Sequence, residues 1–462
     1  MNTMTNNVID TFKAALKGQL LQPDDAGYDE ARQIWNAMID KRPAMIVRCA
    51  GAADVRASVA FARDHGVALA VRGGGHNIGG NALCDDGLVI DLSAMRSVHI
   101  DQAARRAYVQ GGATLADFDH EAQAFGMATP LGINSTTGVG GLTLGGGFGW
   151  LSRKYGLTID NLVAASIVTA DGEVVRASAD DHPDLFWAIR GGGGNFGIAT
   201  MFEYALHPVG PEVTAGLVVF PFDQAKQVLT RYRDLAAGLR DDVSIWAVLR
   251  QAPPLPFLPA EVHGKEVVVM AFFSPLAPEA VQSELDAVRA FGQPVGEHTG
   301  RMPYSAWQQA FDPLLTAGAR NYWKSHNFVT LGDEAIDTVI RYVGTLPSPQ
   351  CEIFIALLGG EINRAAVDAT AYPHRDAVYV MNVHTRWTDA AQDEQCRRWA
   401  RAFFADSAPY AAAGVYINFM TQEEENRIPN AYGANYARLK AVKGKYDPRN
   451  LFRQNQNITP PA

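Results

Sequence analysis

The pattern of apolar positions along the chain changes near residue 210. Before that point, short apolar runs alternate with helical stretches and glycine turns. Residues 52–66 carry apolar side chains three and four positions apart and end at Gly66, which predicts a helix. Thr114 is a suitable N-cap for a helix at residues 114–126. Strands are predicted at residues 43–50, 67–76, 87–95 and 105–112, a hairpin at 162–178, and a helix, glycine loop and strand at 183–206.

After residue 213 the glycines become sparse and longer amphipathic helices alternate with strand-like runs, which is typical of a sheet covered by helices. Residues 252–262 are rich in proline and predict an exposed loop. The chain ends in a basic helix and a turn at Asp447-Pro448, which we expect to be held against a domain. The helices are predicted at residues 222–239, 276–292 and 333–346, and the strands at 243–250, 265–273, 351–360 and 377–387.

Length and charge narrow the class of protein. A chain of 462 residues is long for one hydrophobic core, so two domains are expected. A formal net charge of -9 argues against binding to nucleic acid or an anionic membrane and favours a small-molecule substrate. The N-terminal residues predict a short amphipathic helix instead of a signal peptide, and no apolar run approaches the ~20 residues of a membrane span. We therefore expect a cytoplasmic protein.

The four cysteines have no C-x-x-C spacing, so the sequence predicts neither a zinc site nor a dithiol motif, and no metal is expected. Four cysteines are also too few for a disulfide framework in a chain of this length. We predict buried free thiols in a reducing compartment.

Three glycine clusters lie at residues 72–80, 138–149 and 190–197. Glycine allows backbone N–H groups to converge on an oxyanion, although each cluster alone is also consistent with a turn. A nicotinamide-dinucleotide fingerprint needs a strand, G-x-G-x-x-G and a helix, with an acidic residue about 20 positions later. None of the three clusters has that context, so a Rossmann dehydrogenase is rejected.

Four segments together resemble the vanillyl-alcohol-oxidase (PCMH-type) superfamily, in its berberine-bridge-enzyme-like branch. They are residues 43–80, 129–162, 184–200 and, as the C-terminal signature, 446–460. The resemblance implies an α+β fold. A PCMH-type FAD-binding domain of two α/β subdomains occupies residues 1–212, with its core at about 39–210. A substrate domain with an antiparallel sheet covered by helices spans 213–420, and 421–462 returns to the FAD domain.

The resemblance also implies FAD as the cofactor and an extended set of binding residues. We expect the cofactor to be held by His76, Arg72, Gly73, Gly74, Gly75, Asn77, Gly80, Gly132, Ser135, Thr136, Thr137, Gly140, Gly141, Gly145, Gly149, Trp150, Asp160, Asn161, Gly197, Ile198, Asn418, Asn455 and Asn457.

In this family the histidine of R-x-G-G-H is bonded covalently to a methyl carbon of the flavin, and His76 occupies that position. Imidazole is largely neutral and nucleophilic near pH 7, which suits the role. The alternative is a histidine that only hydrogen-bonds a phosphate. Many relatives carry a second, cysteinyl tether, but Asn134 stands at that position, so one covalent link is expected.

Thr137 corresponds to a position beside the reactive carbon of the flavin that influences access of oxygen in relatives. We expect hydride transfer from a CH–OH or CH–NH group of a small organic substrate, with O2 as acceptor and H2O2 as product. One alternative is a dehydrogenase of the same fold that uses a different acceptor. The other is a flavin-binding protein without catalysis.

The expected catalytic residues lie on two predicted strands, residues 414–424 and 377–387. Alternation places Tyr416 and Asn418 on one face of the first. The second offers Tyr379 and, on its opposite face, His384, which is either the base or a structural residue. Phe419 replaces a tyrosine that is frequent in relatives, so the base is Tyr416 or comes from another strand. The residues expected to line an apolar pocket are Trp246, Trp323, Trp387 and Phe328, and residues 372–375 resemble a family segment at its entry.

Overall fold

The protein is described here by a computed structural model, in which residues 6–461 are defined. The first part of the chain, up to residue 208, contains the predicted strands and helices in the predicted order, together with further short elements that the sequence did not predict. Its helices are α1 (Asn6–Ala14), α2 (Tyr28–Ala31), α3 (Ala52–His65), α4 (Leu115–Gln123), α5 (Val139–Leu144), α6 (Ser152–Tyr155) and α7 (Pro183–Ile189). Its strands are β1 (Gln19–Leu21), β2 (Met45–Arg48), β3 (Leu69–Arg72), β4 (Leu88–Asp91), β5 (Val98–Asp101), β6 (Arg106–Gln110), β7 (Met127–Ala128), β8 (Leu162–Val168), β9 (Val174–Ser178), β10 (Ile198–Ala205) and β11 (His207–Pro208).

The remaining strands all belong to one large sheet, and the C-terminal elements are helical. The strands are β12 (Glu212–Pro221), β13 (Ser244–Gln251), β14 (Glu266–Ser274), β15 (Gly296–Pro303), β16 (Arg320–Phe328), β17 (Glu352–Leu357) and β18 (Tyr379–Trp387). The helices are α8 (Ala225–Ala236), α9 (Gln282–Arg289), α10 (Tyr304–Gln308), α11 (Asp333–Val343), α12 (Glu361–Arg364), α13 (Asp393–Ser407), α14 (Ile428–Tyr432) and α15 (Tyr436–Tyr446).

Local sequence signals explain where several helices begin and end. Gly66 follows α3 with φ +66°, the left-handed conformation that glycine adopts without strain. Thr114 caps α4 through a reciprocal pair of hydrogen bonds with Asp117, as its position predicted. The hairpin of β8 and β9 also forms as expected, because Gly172 adopts a positive φ in the turn.

The N-terminal half contains two main sheets. One has the order β1-β2-β4-β3, with parallel pairing among β2, β4 and β3, and packs against α3. The other is antiparallel with the order β5-β6-β10-β8-β9, while β7 and β11 form a small separate ribbon. Together with the surrounding helices, these sheets agree with the α+β fold that the sequence predicted.

The seven-stranded antiparallel sheet has the order β15-β12-β14-β13-β17-β18-β16. Its residues alternate between two faces, as expected for pleated strands. One face packs beneath α8, α9, α11 and α13, and the other turns toward the first half of the chain. This is the predicted antiparallel sheet covered by helices.

The C-terminal segment returns to the N-terminal half, and it does so from Val415 instead of from the predicted residue 421. Val415, Ile417, Leu439 and Ile458 are buried in the same apolar cluster as β6, β8 and β10. The predicted basic helix is α15. None of the helices within residues 6–461 is long and apolar enough to cross a membrane.

Residues 252–262 are only partly the exposed loop that the sequence predicted. Pro254 and Pro256 are exposed, but Ala252 and Leu258 are buried. Pro253 and Leu255 line the central cavity described below. The apolar residues between the prolines pack against β12 and β14, a contact that proline content alone does not indicate.

Candidate active site

A cavity of about 360 Å³ lies between the glycine clusters of the first half and the uncovered face of the seven-stranded sheet. All three glycine clusters contribute to its wall, although they are far apart in the sequence. Residues of the C-terminal segment, including Tyr416, Asn418 and Asn455, complete it. The cavity therefore joins all three parts of the chain.

Close backbone contacts explain why two of these clusters need glycine. A Cβ atom on Gly74 would lie 2.3 Å from the backbone nitrogen of Gly138, and a Cβ on Gly138 would lie equally close to the nitrogen of Gly74. A Cβ on Gly140 would lie 2.8 Å from the carbonyl oxygen of Gly111. Side chains at these positions would separate the loops and open the wall of the cavity.

His76 lies in this wall, and its ring is held by two neighbours. Its Nε2 is 2.8 Å from Thr136 Oγ1, and its ring stacks on Trp35 with centroids 5.1 Å apart. Burial lowers the pKa of His76 to about 4. The imidazole is therefore neutral at pH 7, as a nucleophile must be.

Asn134 lines the cavity close to His76, at the position where a second tether was considered. The four cysteines are buried and free, as predicted, and none contributes to the cavity wall formed within residues 6–461. A cysteinyl link to a ligand in this cavity is therefore not available to the chain.

Fourteen of the expected cofactor-binding residues line the cavity. They are His76, Gly73, Gly74, Gly75, Asn77, Gly132, Thr137, Gly140, Gly141, Trp150, Gly197, Ile198, Asn418 and Asn455.

The other expected residues do not line the cavity, and several of them hold neighbouring segments in place. Arg72 donates to the carbonyl of Ala31, and Asp160 forms a bidentate ion pair with Arg375. Asn161 donates to backbone carbonyls. Sequence motifs do not separate such residues from lining ones, because both lie on the same loops. The expected residues that do not line the cavity are Arg72, Gly80, Ser135, Thr136, Gly145, Gly149, Asp160, Asn161 and Asn457.

The segment of Tyr416 and Asn418 is not the strand that alternation predicted. Ile417–Phe419 is a turn of 3-10 helix in which Phe419 N donates to the carbonyl of Tyr416 at 3.0 Å. These local hydrogen bonds replace a ladder with a neighbouring strand. The two side chains nevertheless meet, because Asn418 Nδ2 donates to Tyr416 Oη at 2.9 Å.

Tyr416 is a phenol at neutral pH. Its Oη also accepts a hydrogen bond from Gly147 N at 3.1 Å, and burial raises its pKa to about 12. With two donors on the oxygen, the hydroxyl hydrogen is free to donate. Tyr416 is thus suited to donating a hydrogen bond into the cavity more than to removing a proton.

The seven-stranded sheet forms one wall of the cavity, which we call the roof. A cluster of three polar residues lies in it, Arg250, Glu352 and His384, of which the sequence had identified only His384. Arg250 Nη1 donates to Glu352 Oε2 at 2.7 Å, and His384 Nδ1 is 3.2 Å from Glu352 Oε1. Burial acts to raise the pKa of Glu352, but Arg250 and His384 more than offset it, so the pKa lies below its usual range. Burial lowers the pKa of His384.

The signal that could have identified Arg250 and Glu352 is strand phase. Arg250 is in phase with Trp246 on β13, and Glu352 is in phase with Phe354 on β17. A charged residue in phase with the cavity face is buried unless it has a partner, so these two pair with each other.

Tyr379 lies on the opposite face of β18 from His384. It is buried among the covering helices and contacts Tyr232, with ring centroids 5.9 Å apart. The geometry therefore does not bring Tyr379 to the cavity. The same holds for Trp387 and Phe328, whereas Trp246 and Trp323 line it as expected.

The chemistry of the wall fits FAD. The glycine loops form a cradle that side chains would fill, and within residues 6–461 the buried Oδ1 atoms of Asn455 and Asn457 have no hydrogen-bond partner. Glycine loops of this kind bind phosphates through backbone N–H groups.

Comparisons with known proteins agree with this geometry. Residues 43–178 match the family model described as FAD binding domain, and residues 415–459 match that described as berberine and berberine like. The FAD-linked oxidoreductase YgaK of Bacillus subtilis is 31% identical, over 97% of this chain and 98% of the relative.

Solved structures give the same result. The 6-hydroxy-D-nicotine oxidase of Arthrobacter nicotinovorans superposes with a TM-score of 0.87 at 30% identity, over 96% of this chain and 98% of that one. Glucooligosaccharide oxidase of Acremonium strictum shares the fold, with a TM-score of 0.87 at 24% identity over 99% of this chain and 100% of that one. The chain belongs to the berberine-bridge-enzyme-like family of FAD-linked oxidoreductases.

Proposed function

We propose that the protein is an oxidase that holds FAD through one covalent bond to His76 and oxidises a CH–OH or CH–NH group of a small aromatic substrate. Dioxygen is the acceptor and hydrogen peroxide the product. The observation that carries this proposal is a roof of aromatic side chains over the flavin loops, with one buried acid–base cluster in it.

The roof favours an aromatic substrate over a sugar. The rings of Trp246 and Phe354 stack with centroids 6.0 Å apart, and Phe419 packs edge-on against both Phe354 and Trp323. Many hydroxyl groups of a sugar would lose their hydrogen bonds to water against such a wall. Within residues 6–461 the buried Nε1 donors of Trp246 and Trp323 have no hydrogen-bond partner.

His384 is the candidate base. Its Nε2 is 3.2 Å from Asn321 Oδ1, so both ring nitrogens face oxygen acceptors. A neutral imidazole has one N–H and can satisfy only one of them. Uptake of a proton from the substrate satisfies both, and Glu352 stabilises the resulting charge.

The remaining residues orient the reactants. Tyr416 donates a hydrogen bond to the reacting oxygen or nitrogen, and Asn418 holds the phenol in place. When bound, FAD accepts the hydride. Thr137 lines the cavity, at the position the family resemblance associates with access of oxygen.

A single link is supported by the residues near His76. The glucooligosaccharide oxidase structure is described as carrying a 6-S-cysteinyl, 8α-N1-histidyl FAD. Here Asn134 stands at the corresponding position and no cysteine lines the cavity that residues 6–461 form.

The test is a donor screen under anaerobic conditions. Matched panels of benzylic alcohols, cyclic and benzylic amines, and mono- and oligosaccharides are mixed with the yellow protein, and bleaching of the flavin is followed. Admission of air then measures reoxidation and the yield of hydrogen peroxide. We expect bleaching by an aromatic donor and one peroxide per flavin.

Each alternative has its own outcome. Bleaching followed by reoxidation over many minutes would indicate a dehydrogenase with another acceptor. Bleaching by sugars alone would contradict the aromatic substrate. No bleaching by any donor would favour a flavin-binding protein without catalysis.

A further inference from the structure

We propose that Asn134 and Thr136 are positioning residues that fix the tautomer of His76, so that Nδ1 is the nitrogen that bonds to FAD. This inference rests on the covalent link proposed above. It assigns a function to the residue that stands where relatives have a second tether.

A chain of hydrogen bonds determines the tautomer. Asn134 Oδ1 lies 3.1 Å from the backbone nitrogen of Thr136 and 2.7 Å from Thr136 Oγ1. A backbone N–H can only donate, so this atom of Asn134 is the oxygen and not the amide nitrogen. The hydroxyl of Thr136 must then donate to it as well.

The hydroxyl of Thr136 determines which nitrogen of His76 carries the ring hydrogen. Thr136 has one hydroxyl hydrogen, and Asn134 accepts it, so Oγ1 is an acceptor toward His76. Nε2 of His76 lies 2.8 Å away and therefore carries the ring hydrogen. The lone pair of the neutral ring is left on Nδ1, which becomes the nucleophile.

The surrounding structure keeps this chain rigid. Trp35 covers one face of the His76 ring, and its own Nε1 donates to the carbonyl of Leu315 at 2.8 Å. Thr137 N donates to the carbonyl of Asn134 at 3.1 Å, and Ser135 N donates to Asp312 Oδ1 at 3.0 Å. These contacts restrict the ring and the loop, whereas the hydroxyl hydrogen of Thr136 can rotate about its C–O bond.

The covalent step balances with dioxygen as the oxidant. Nδ1 forms a bond to the methyl carbon, which loses one hydrogen, and the ring loses the hydrogen on Nε2. These two hydrogens and two electrons reduce dioxygen to hydrogen peroxide. Asn134 is buried whereas Thr136 is exposed, so the proton from Nε2 leaves to water past Thr136. Once Nε2 has no hydrogen, the hydroxyl turns and donates to it.

The experiment measures the covalent fraction of flavin in purified full-length variants. Asn134→Ala frees the hydroxyl to donate to Nε2 and so favours the other tautomer, and Thr136→Val removes the hydroxyl. Asn134→Asp and Thr136→Ser keep the acceptor and the hydroxyl. Flavin fluorescence of the denatured band is followed during incubation with FAD in air, and total bound flavin is measured before denaturation.

We expect the two disrupting variants to bind flavin but to attach it about three- to tenfold more slowly, the effect of losing one hydrogen bond. The two conservative variants restore the rate. Thr338→Val on α11 is the matched control, since its hydroxyl donates to the carbonyl of Glu334 at 2.8 Å, away from the cavity. A merely structural role would lower total flavin and thermal stability without a change in attachment rate.

Two results would overturn the inference, and they are distinguishable. Covalent flavin in the unaltered protein together with unchanged rates in Asn134→Ala and Thr136→Val contradicts the positioning role alone. Flavin that is released on denaturation of the unaltered protein, or that stays attached in His76→Ala, contradicts the histidyl link and with it this role.

Discussion

His384 is the residue whose protonation state matters most for the proposed reaction. Asn321 Oδ1 is an oxygen by its own contacts, because it also accepts from Arg386 Nη1 at 3.3 Å while Asn321 Nδ2 donates to a carbonyl. One nitrogen of neutral His384 therefore has its lone pair directed at an acceptor. Burial keeps the ring neutral until a proton arrives from the substrate.

Replacement of this base tests its role directly. We expect His384→Asn to lower kcat/KM for the best donor by about 10²- to 10⁴-fold, the usual contribution of a general base. Anaerobic flavin reduction by stopped flow is the measurement. His326→Asn is the matched control, because His326 is also buried on a strand but hydrogen-bonds Phe404 O on the helix-covered side. An equal loss in both variants would show a structural effect only.

Glu352 controls the pH at which this base is available. The folded protein has a lowered pKa at His384, so activity is present at higher pH and is lost as pH falls through that pKa. The carboxylate of Glu352 raises the pKa of His384 against the effect of burial. We expect Glu352→Gln to move the acid limb of the kcat/KM profile to lower pH and to reduce the plateau. If the acid limb of the profile moved to higher pH instead, the result would contradict the interaction between Glu352 and His384.

Among the secondary-structure elements, helix α15 connects the C-terminal segment to the glycine loop at residues 190–197 through hydrogen bonds. Lys443 Nζ is fully buried and donates to the carbonyl of Asn195 at 2.8 Å and to Asp447 Oδ2 at 2.7 Å. Asp447 in turn accepts from the backbone N–H groups of Leu451 and Phe452. One ion pair thus orders the helix end, the following turn and the loop.

Loss of this lysine is expected to destabilise the fold. Lys443→Met leaves the buried carboxylate of Asp447 without its cation, which costs about 3 kcal/mol. Thermal unfolding followed by circular dichroism measures the loss. Lys445→Met on the same helix removes an exposed ion pair with Asp184 and a contact with the ring of Tyr446, and it serves as the control. If the two variants unfold at the same temperature, the buried pair does not hold the segment.

The sequence predicted most helices and strands, but not which face of each one contacts the cavity. The period of apolar residues predicted β18 and its two faces, yet which face forms the roof depends on contacts with distant parts of the chain. Residues 414–424 alternate like a strand, but Tyr416 leads into a local 3-10 turn at Ile417–Phe419. The glycine motifs predicted the cradle. Glu352 was missed, because strand phase puts it on the same face of β17 as Phe354 but does not indicate that this face lines a cavity.

For the whole molecule, the cavity depends on how the two halves are joined. Arg153 follows the second glycine cluster and is buried against the sheet domain, where its Nε donates to the carbonyl of Val243 at 2.8 Å and its Nη2 to that of Leu239 at 2.9 Å. Nη1 donates to Leu358 O. Arg375 from the sheet domain pairs with Asp160 in the opposite direction.

Arg153 is therefore expected to couple stability of the molecule to the geometry of the site. Arg153→Met leaves several buried carbonyl oxygens without a donor, at a cost of about 3 kcal/mol. We expect a lower unfolding temperature by differential scanning calorimetry and faster release of flavin when His76→Ala is combined with it. Arg364→Met on α12 removes exposed ion pairs near the same junction and is expected to change neither quantity. Unaltered flavin release in the double variant would mean that the glycine loops keep their shape without the sheet domain, and that the cavity is set by the first half of the chain alone.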